Sequence, residues 1–501
     1  MNLDERILKN LTCENLKEVY EKFKEKKHDY LSIPEKDKRQ MGEDGISLRT
    51  YDKIFTDSNN FLAIINRVKN RKYLFKPFRE IEISKDKRLS LKEAKLKNKI
   101  RVLSIANVKD TVVQQVIYES IKEYTEKKFK EIDLVSYAYR EGKSAPSAVR
   151  RIQKYIELDY KYVLNMDLSK FFDTINHKLM INDLYKFFGK DNKILLTILK
   201  NFLYSYRITS KNLKETKYKG RKLRPTLKIF HNVKVKRERR EKGIPQGGVL
   251  SGLLANIYLY DFDLWISNIL RRKYDLKYIR YADDFLILLK NDEKIEEIFK
   301  EVESQLSKKE LKVHPLGEKS EVINLNERST NYVGFEIKKN KVKVKKNNEI
   351  AFKNKIKFIL NEAEKLQEFE EKKSIKVLNN IIRKINFKII GNRAFYEKCE
   401  KCGKEPDYKN WIGYFGNITD VHQLKKIDRW IFNNLKFFMY KNFGFKIKKS
   451  NYYYLKANNF EQNLYKLRRL ELEYYGYRKS LRKKIEFCKC TPKEKSEFEQ
   501  Y

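Results

Sequence analysis

Two short segments carry carboxylates in a setting that asks for a cation. The first is Tyr162-Val-Leu-Asn-Met-Asp167-Leu-Ser-Lys-Phe171-Phe172-Asp173, an apolar strand that delivers one acid at its end and two aromatics just after it. The second is Tyr278-Ile-Arg-Tyr281-Ala-Asp283-Asp284-Phe285-Leu-Ile-Leu-Leu, where two adjacent acids sit between β-forming runs. That pattern predicts a tight hairpin with the acids at its tip. Adjacent acids between apolar strands are costly unless something positive neutralises them. Lys or Arg could do so. A pair of divalent ions is the stronger match, because Mg²⁺ favours carboxylate oxygen and shares its shell with substrate phosphates. Two such ions can activate an attacking 3′-hydroxyl and stabilise a leaving pyrophosphate in an in-line displacement. The bland alternative is a solvated turn. Such a turn would carry Gly, Asn or Lys where this one has Tyr281-Ala and an apolar run.

The rest of the chain suits a polyanionic substrate. Lys and Arg total 112 against 68 Asp and Glu, a net charge of +44. A field of that sign concentrates nucleic acid. Hydrophobic residues at 41% and aromatics at 13% supply a core and exclude wholesale disorder. The length of 501 residues suits about three domains or one large multi-part enzyme. No run approaches the roughly 18 apolar residues of a membrane span. The opening MNLDERILKNLTCENLKEVYEKF reads as one amphipathic helix and not as a secretory signal. The expectation is a cytoplasmic protein that does not engage membranes. Around the carboxylates, alternating Ile81 and Ile83 predict a strand, as does Arg101-Val-Leu-Ser-Ile. A helix is expected from near Lys109, through Val112, Val113, Val116 and Ile117. Residues 161–345 are the most strand-like. Beyond 350 the pattern is helical, with Leu424, Ile427, Ile431, Leu435 and Phe438 on one face. The class is α+β.

These residues carry a resemblance. Tyr281-Ala282-Asp283-Asp284 resembles the YxDD box of reverse transcriptases, and Asp167 through Asp173 resembles the catalytic motif before it. Between them, Gly243-Ile-Pro245-Gln246-Gly247-Gly248-Val-Leu-Ser251-Gly252-Leu-Leu-Ala-Asn256 is similar to the family's PQG segment in its bacterial group II intron-like form. Glu318-Lys319-Ser320 resembles the lysine-bearing motif downstream, and Tyr332-Val-Gly334-Phe335 the primer-grip strand pair. Upstream, Arg101 to Ile105, Lys109 to Gln114 and Ser136 to Ser144 resemble the fingers blocks, and GEDGIS at 42–47 the extra N-terminal block. The blocks stand in family order over about residues 40–345. One departure is Ser251-Gly252, where intron relatives usually have Ser-Pro; it argues against a routine intron enzyme.

The resemblance implies a right-hand polymerase with an antiparallel palm sheet and largely helical ends. Its segments would be a helical extension at 1–40, fingers at 41–160, palm at 161–345, and a helical thumb with a basic, aromatic RNA-binding region at 346–501. Asp167, Asp283 and Asp284 become the implied catalytic acids, and Asp167, Leu168, Asp283 and Asp284 the implied ligands of two Mg²⁺. Asp284 reads alternatively as a hairpin-shaping residue. Lys99, Arg101, Phe172, Gln246, Gly247 and Lys319 become the implied nucleotide contacts. Phe172 stands at the sugar gate, where a bulky ring clashes with a 2′-hydroxyl and favours dNTPs. One of Phe171 and Phe172 reads as a plain core aromatic. The choice of lysine near Lys99 is blurred by the insertion SKDKRLSLKEAKLKNK, and Lys319 reads as general acid, phosphate contact or solvated lysine. Tyr332, Gly334 and Phe335 form the implied primer grip.

Four cysteines pair by spacing, Cys399 with Cys402 and Cys488 with Cys490. They read either as two halves of a structural Zn²⁺ site or as reduced thiols. Cys13 reads as an inert thiol, and His177 as a helix-start or solvent residue. Aromatics among Lys and Arg at Trp411–Phe415, Trp430, Phe437–Tyr440, Tyr452–Tyr454 and Tyr474–Tyr477 suit either base stacking or a helical core. A lone His422 gives no HNH pattern, so no endonuclease is expected. The resulting expectation is an RNA-directed DNA polymerase that copies a noncoding RNA template into a DNA product from dNTPs. It most resembles free-standing defence-associated or abortive-infection-type reverse transcriptases of bacteria. The rivals are a group II intron-encoded maturase and an RNA-binding protein with an inactive polymerase site. A homo-oligomer is left open.

Overall fold

The structure, a computed structural model, describes residues 2–26, 46, 48–86, 89–209, 211–212, 217–218, 221–222, 235–364, 371–391, 403–405, 410–444 and 466–482. The paired cysteines, the Tyr452–Tyr454 run and most of GEDGIS lie outside the described residues. The chain forms two compact units, one of Met1–Ser144 with Tyr162–Val322, the other of Ala145–Lys161 with Ile323–Tyr501.

In the first unit the helix Val108–Phe129 is central, and it starts one residue before the expected Lys109. Val112, Val113, Val116, Ile117 and Ile121 are buried, but so are Asp110, Gln114, Ser120 and Thr125. Polar groups buried on a helix need hydrogen-bond partners. Asp110 accepts from the Tyr73 hydroxyl at 2.5 Å and from Lys76 N at 2.7 Å. The Gln114 side chain accepts from Val249 N at 2.9 Å, which ties this helix to the Pro-Gln-Gly-Gly loop.

Helices Leu3–Asn10 and Cys13–Lys26 pack on the central helix. The single N-terminal helix expected from sequence is therefore two. Leu11 leaves helical backbone, and Thr12 Oγ1 accepts from Asn15 N at 3.2 Å, capping a new helix. Asp4 reaches the start of the helix Lys193–Leu203, where its carboxylate accepts from Ile194 N at 2.8 Å and Leu195 N at 2.9 Å. Leu3 N donates back to Asn192 Oδ1 at 2.9 Å.

Two sheets frame the first unit. Phe78–Ser84 pairs antiparallel with Ile100–Ile105, and parallel with Tyr206–Ile208, which in turn meets Glu238–Arg239. Ile81, Ile83 and Arg101-Val-Leu-Ser-Ile thus lie on strands as expected. In the other sheet Lys277–Tyr281 and Asp284–Leu289 form an antiparallel hairpin, and Tyr162–Asp167 pairs along the second edge of Asp284–Leu289. Phe285 to Leu289 are all buried. A strand covered on both faces loses alternation, which is why its sequence is a continuous apolar run.

In the second unit Thr330–Tyr332, Phe335–Lys338 and Lys341–Val344 form a meander. The helix Val421–Phe443 buries Leu424, Ile427, Ile431, Leu435 and Phe438 against Lys346–Glu364 and Leu470–Arg482, the face read from the sequence. The aromatic runs split between the two readings: Trp411, Phe415, Phe438, Tyr474 and Tyr477 are buried, whereas Phe437, Tyr440 and Tyr475 are exposed. Among the described residues no helix is long and apolar enough to cross a membrane.

Candidate active site

The sheet brings the two acidic segments together. Asp167, the last residue of its strand, stands opposite Asp284, the first residue of the adjacent one. Directly opposed residues of an antiparallel pair share a face. Tyr281 pairs with Asp284 from the other side, so Ala282 and Asp283 alone make the hairpin turn. Ala282 has φ +61°, a value a two-residue turn demands and a methyl-bearing residue resists. Arg280 Nη1 donates to the Ala282 carbonyl at 3.0 Å and so holds that turn from beneath.

Asp283 lies within electrostatic reach of Asp167. Burial first, and then the Asp167 carboxylate, push its carboxyl above the usual range, while Arg101 and Lys85 pull it back. An acid raised by burial and by a neighbouring carboxylate presents the donor type a divalent cation takes. Among the described residues no set of three or more His, Cys, Asp or Glu is gathered as for a metal ion. Leu168 has a buried side chain, so only its carbonyl could face a cation.

Beside Asp167 the chain returns. His314 N donates to Asp167 O at 3.1 Å and Ser169 N to Lys312 O at 2.8 Å. This return places Lys319 Nζ 3.9 Å and His314 Nε2 3.8 Å from Asp167 Oδ2, with 3.1 Å between the two nitrogens. Sequence reasoning singled out Lys319 and missed His314, whose position depends on this return strand.

The basic candidates separate. Arg101 projects from its strand into reach of Asp283, whereas Lys99 lies 3.7 Å from Asp86. Lys85, inside the insertion that blurred the sequence reading, acts on Asp283 as Arg101 does. Of the two phenylalanines Phe171 is the core residue, at 1% exposure. Phe172 is buried too, at 8% exposure, with the Tyr139 ring 6.5 Å away.

The Pro-Gln-Gly-Gly loop is fixed to the neighbouring strand by Ser104 N donating to Gln246 O at 2.8 Å. Gly247 has φ +116°, and a Cβ there would stand 3.1 Å from Ser104 O. One at Gly248 would stand 2.7 Å from the Phe202 ring. Glycine is what permits so close a seat. Upstream, Gly243 O meets His177 Nε2 at 2.7 Å. His177 does open a helix, as read, but it is 3% exposed and not a solvent residue; burial lowers its pKa.

Tyr332, Gly334 and Phe335 belong to the second unit. Val333 and Gly334, both with positive φ, turn the hairpin. The Tyr414 hydroxyl donates to Val333 O at 2.8 Å, and the Tyr414 ring stacks on Phe335 at 5.8 Å. Cys13, at the start of its helix, is half-buried.

An antiparallel sheet carrying acids at a strand end and at an adjacent hairpin turn defines a nucleotidyl-transfer type of site. Residues 84–337 match the reverse transcriptase (RNA-dependent DNA polymerase) family, and the chain belongs to that family. It is 26% identical over 229 residues to protein YkfC of Escherichia coli (strain K12), covering 39% of this chain and 52% of that one. It is 22% identical over 443 residues to the group II intron-encoded protein LtrA of Lactococcus lactis subsp. cremoris, covering 73% of this chain and 66% of that one. Among solved structures it is similar to telomerase from Candida albicans, with a TM-score of 0.44, 12% identity, and 86% of this chain and 63% of that one covered. The chain thus spans about half the length of YkfC.

Proposed function

We propose that this chain is an RNA-directed DNA polymerase that extends a 3′-hydroxyl with dNTPs on an RNA template. The observation that carries the reading is the meeting of Asp167 with Asp284 across two strands, with Asp283 on the turn between Tyr281 and Asp284. Asp167, Asp283, Asp284 and the Leu168 carbonyl would hold the two Mg²⁺. Once bound, such ions would supply Lewis-acid activation of the hydroxyl and charge neutralisation for the leaving pyrophosphate. The chain's own residues do the rest. Arg101 and Lys85 supply positive charge beside Asp283 for the triphosphate, and Phe172 bounds the sugar. Gln246 and Gly247 underlie the nucleotide, and Lys319 faces the phosphates beside Asp167. The segments 41–160, 161–345 and 346–501 would act as fingers, palm and thumb, with Tyr332, Gly334 and Phe335 gripping the primer. The net charge of +44 supports RNA as the partner.

Two settings follow from this chemistry. The similarity to LtrA favours an intron-type role, in which the RNA bound is the intron's own. An antiphage role would instead pair the enzyme with a dedicated noncoding RNA. The test is to purify the protein with the RNA it carries, sequence that RNA, and supply labelled dNTPs with Mg²⁺. Labelled DNA complementary to one co-purifying RNA establishes the activity and names the template. Bound RNA with no DNA made under any primer would place an inactive RNA-binding protein first.

A further inference from the structure

The loop around residues 136–143 holds one residue out of character. Tyr139 has φ +56°, a left-handed backbone that bulky side chains rarely adopt. Its neighbours are locked. Tyr137 N donates to Arg280 O at 3.0 Å, Ala138 O accepts from Asn256 Nδ2 at 2.8 Å, and the buried Arg140 pairs with Glu126 at 2.8 Å. Tyr137, Ala138 and Arg140 are buried between these anchors, yet the Tyr139 ring is 53% exposed. A strained residue with an exposed ring contributes little to the core, and strain of this kind gathers where a ligand is handled.

The ring has a purpose-built seat. A Cβ on Gly252 would stand 2.4 Å from Tyr139 Cγ and 2.6 Å from its Cδ1. Glycine at 252, the position where the sequence departs from Ser-Pro, is what lets the ring lie there. On another side the ring meets Phe172 edge-on, at 6.5 Å and 85° between planes. Asp283 and Arg101 both act electrostatically on the Tyr139 hydroxyl. In a nucleoside triphosphate the sugar lies between the phosphates and the base. A ring set between a cation-binding acid, a phosphate-binding Arg and an apolar ring is therefore placed at the sugar.

We propose that Tyr139 contacts the incoming nucleotide directly. Its ring, together with Phe172, walls the sugar side of the pocket and sets discrimination between deoxy- and ribonucleotides. This rests on the polymerase reading above. The test is steady-state single-nucleotide incorporation on a primed RNA template, with dTTP and UTP compared. Tyr139→Ala raises KM for dTTP by about tenfold or more, with kcat changed much less, and lowers the dTTP-to-UTP ratio of kcat/KM. Tyr139→Phe rescues both quantities relative to Ala, because the ring and not the hydroxyl forms the wall. Gly252→Ala reproduces the Ala pattern by unseating the ring. Tyr139→Gly melts at or above the wild-type temperature, since glycine accepts the positive φ, while losing nucleotide affinity. If the wild type is active and Tyr139→Ala keeps its KM and its sugar ratio, the proposal is overturned and the polymerase reading stands. If the wild type binds RNA yet incorporates neither nucleotide on any primed template, the polymerase reading falls and takes this wall with it.

Discussion

Arg280 and Asp263 form an ion pair in which neither side chain is exposed to solvent, with Arg280 Nε 2.8 Å from Asp263 Oδ1 and Nη2 donating to Oδ2. The same guanidinium donates to Asn256 Oδ1 at 3.1 Å, Ser136 Oγ at 3.0 Å and Ala282 O at 3.0 Å. The Tyr278 hydroxyl adds a 2.8 Å bond to Asp263. A pair so deep specifies conformation more than it adds stability. Here the conformation specified is the turn that carries Asp283.

Breaking that pair leaves a buried charge alone. Arg280→Leu is expected to cost about 3–5 kcal/mol of unfolding free energy, because Asp263 then lacks its partner. The double variant Arg280→Leu with Asp263→Leu recovers a large part of the loss. Chemical denaturation of the wild type, both single variants and the double variant measures this. A double variant no better than Arg280→Leu would remove the ion pair from the account.

Ala282 holds φ +61° with a Cβ attached. Ala282→Gly is expected to stabilise by about 1 kcal/mol through relief of that strain, and Ala282→Val to destabilise. Melting temperatures of the three proteins decide it. A lower value for the glycine variant would mean the turn is unstrained.

Asp283→Asn with Asp284→Asn is expected to reduce DNA synthesis about a thousandfold or more, the scale of losing several kcal/mol of charge stabilisation. RNA affinity stays near wild type because the basic surface is untouched. Removing the half-buried, repelled carboxylate of Asp283 also raises the melting temperature at neutral pH. Filter binding and primer extension on one preparation separate the outcomes. Parallel loss of both activities would locate the damage in the fold.

Asp428 is half-buried in the second unit and accepts from Leu470 N at 2.8 Å and Glu471 N at 3.1 Å. Burial raises its pKa from 3.8 to about 6, against the pull of those backbone donors. A raised pKa means that the protonated form is preferred in the fold. Its contribution is therefore complete below pH 3.8 and is lost as the pH rises through about 6. Between those limits wild-type stability falls relative to Asp428→Asn. Unfolding curves for the two proteins at pH 4, 5, 6 and 7 should diverge over that window, and parallel curves would contradict it.

The acidic hairpin was legible because its signals are local: an apolar run, a short acidic tip, another apolar run. The helix face from Leu424 to Phe438 was legible because a 3.6-residue period survives in sequence. Other features depend on partners far along the chain. The break at Leu11–Thr12 carries no Gly or Pro, and its only sign is a Thr three residues before Asn15. His177 is buried because a carbonyl 66 positions away meets its ring. Tyr139 is unmarked among 33 tyrosines until Gly252 is seen beneath it. Lys85 went unnoticed because in a chain this basic a single lysine has no contrast, and His314 because only the chain's return beside Asp167 brings it there.

The bond from Asp4 to the start of the helix Lys193–Leu203 joins positions 190 apart. A ribosome adding about 5–20 residues per second needs roughly ten to forty seconds to span that interval. Throughout it the first helix has been made but its cap acceptor has no helix to cap, and the apolar side chains of Leu3 and Ile7 lack part of their final cover. The cap on Lys193–Leu203 thus closes only once the chain has grown through Leu195, well after Val108–Phe129 has been made to cover the first helix.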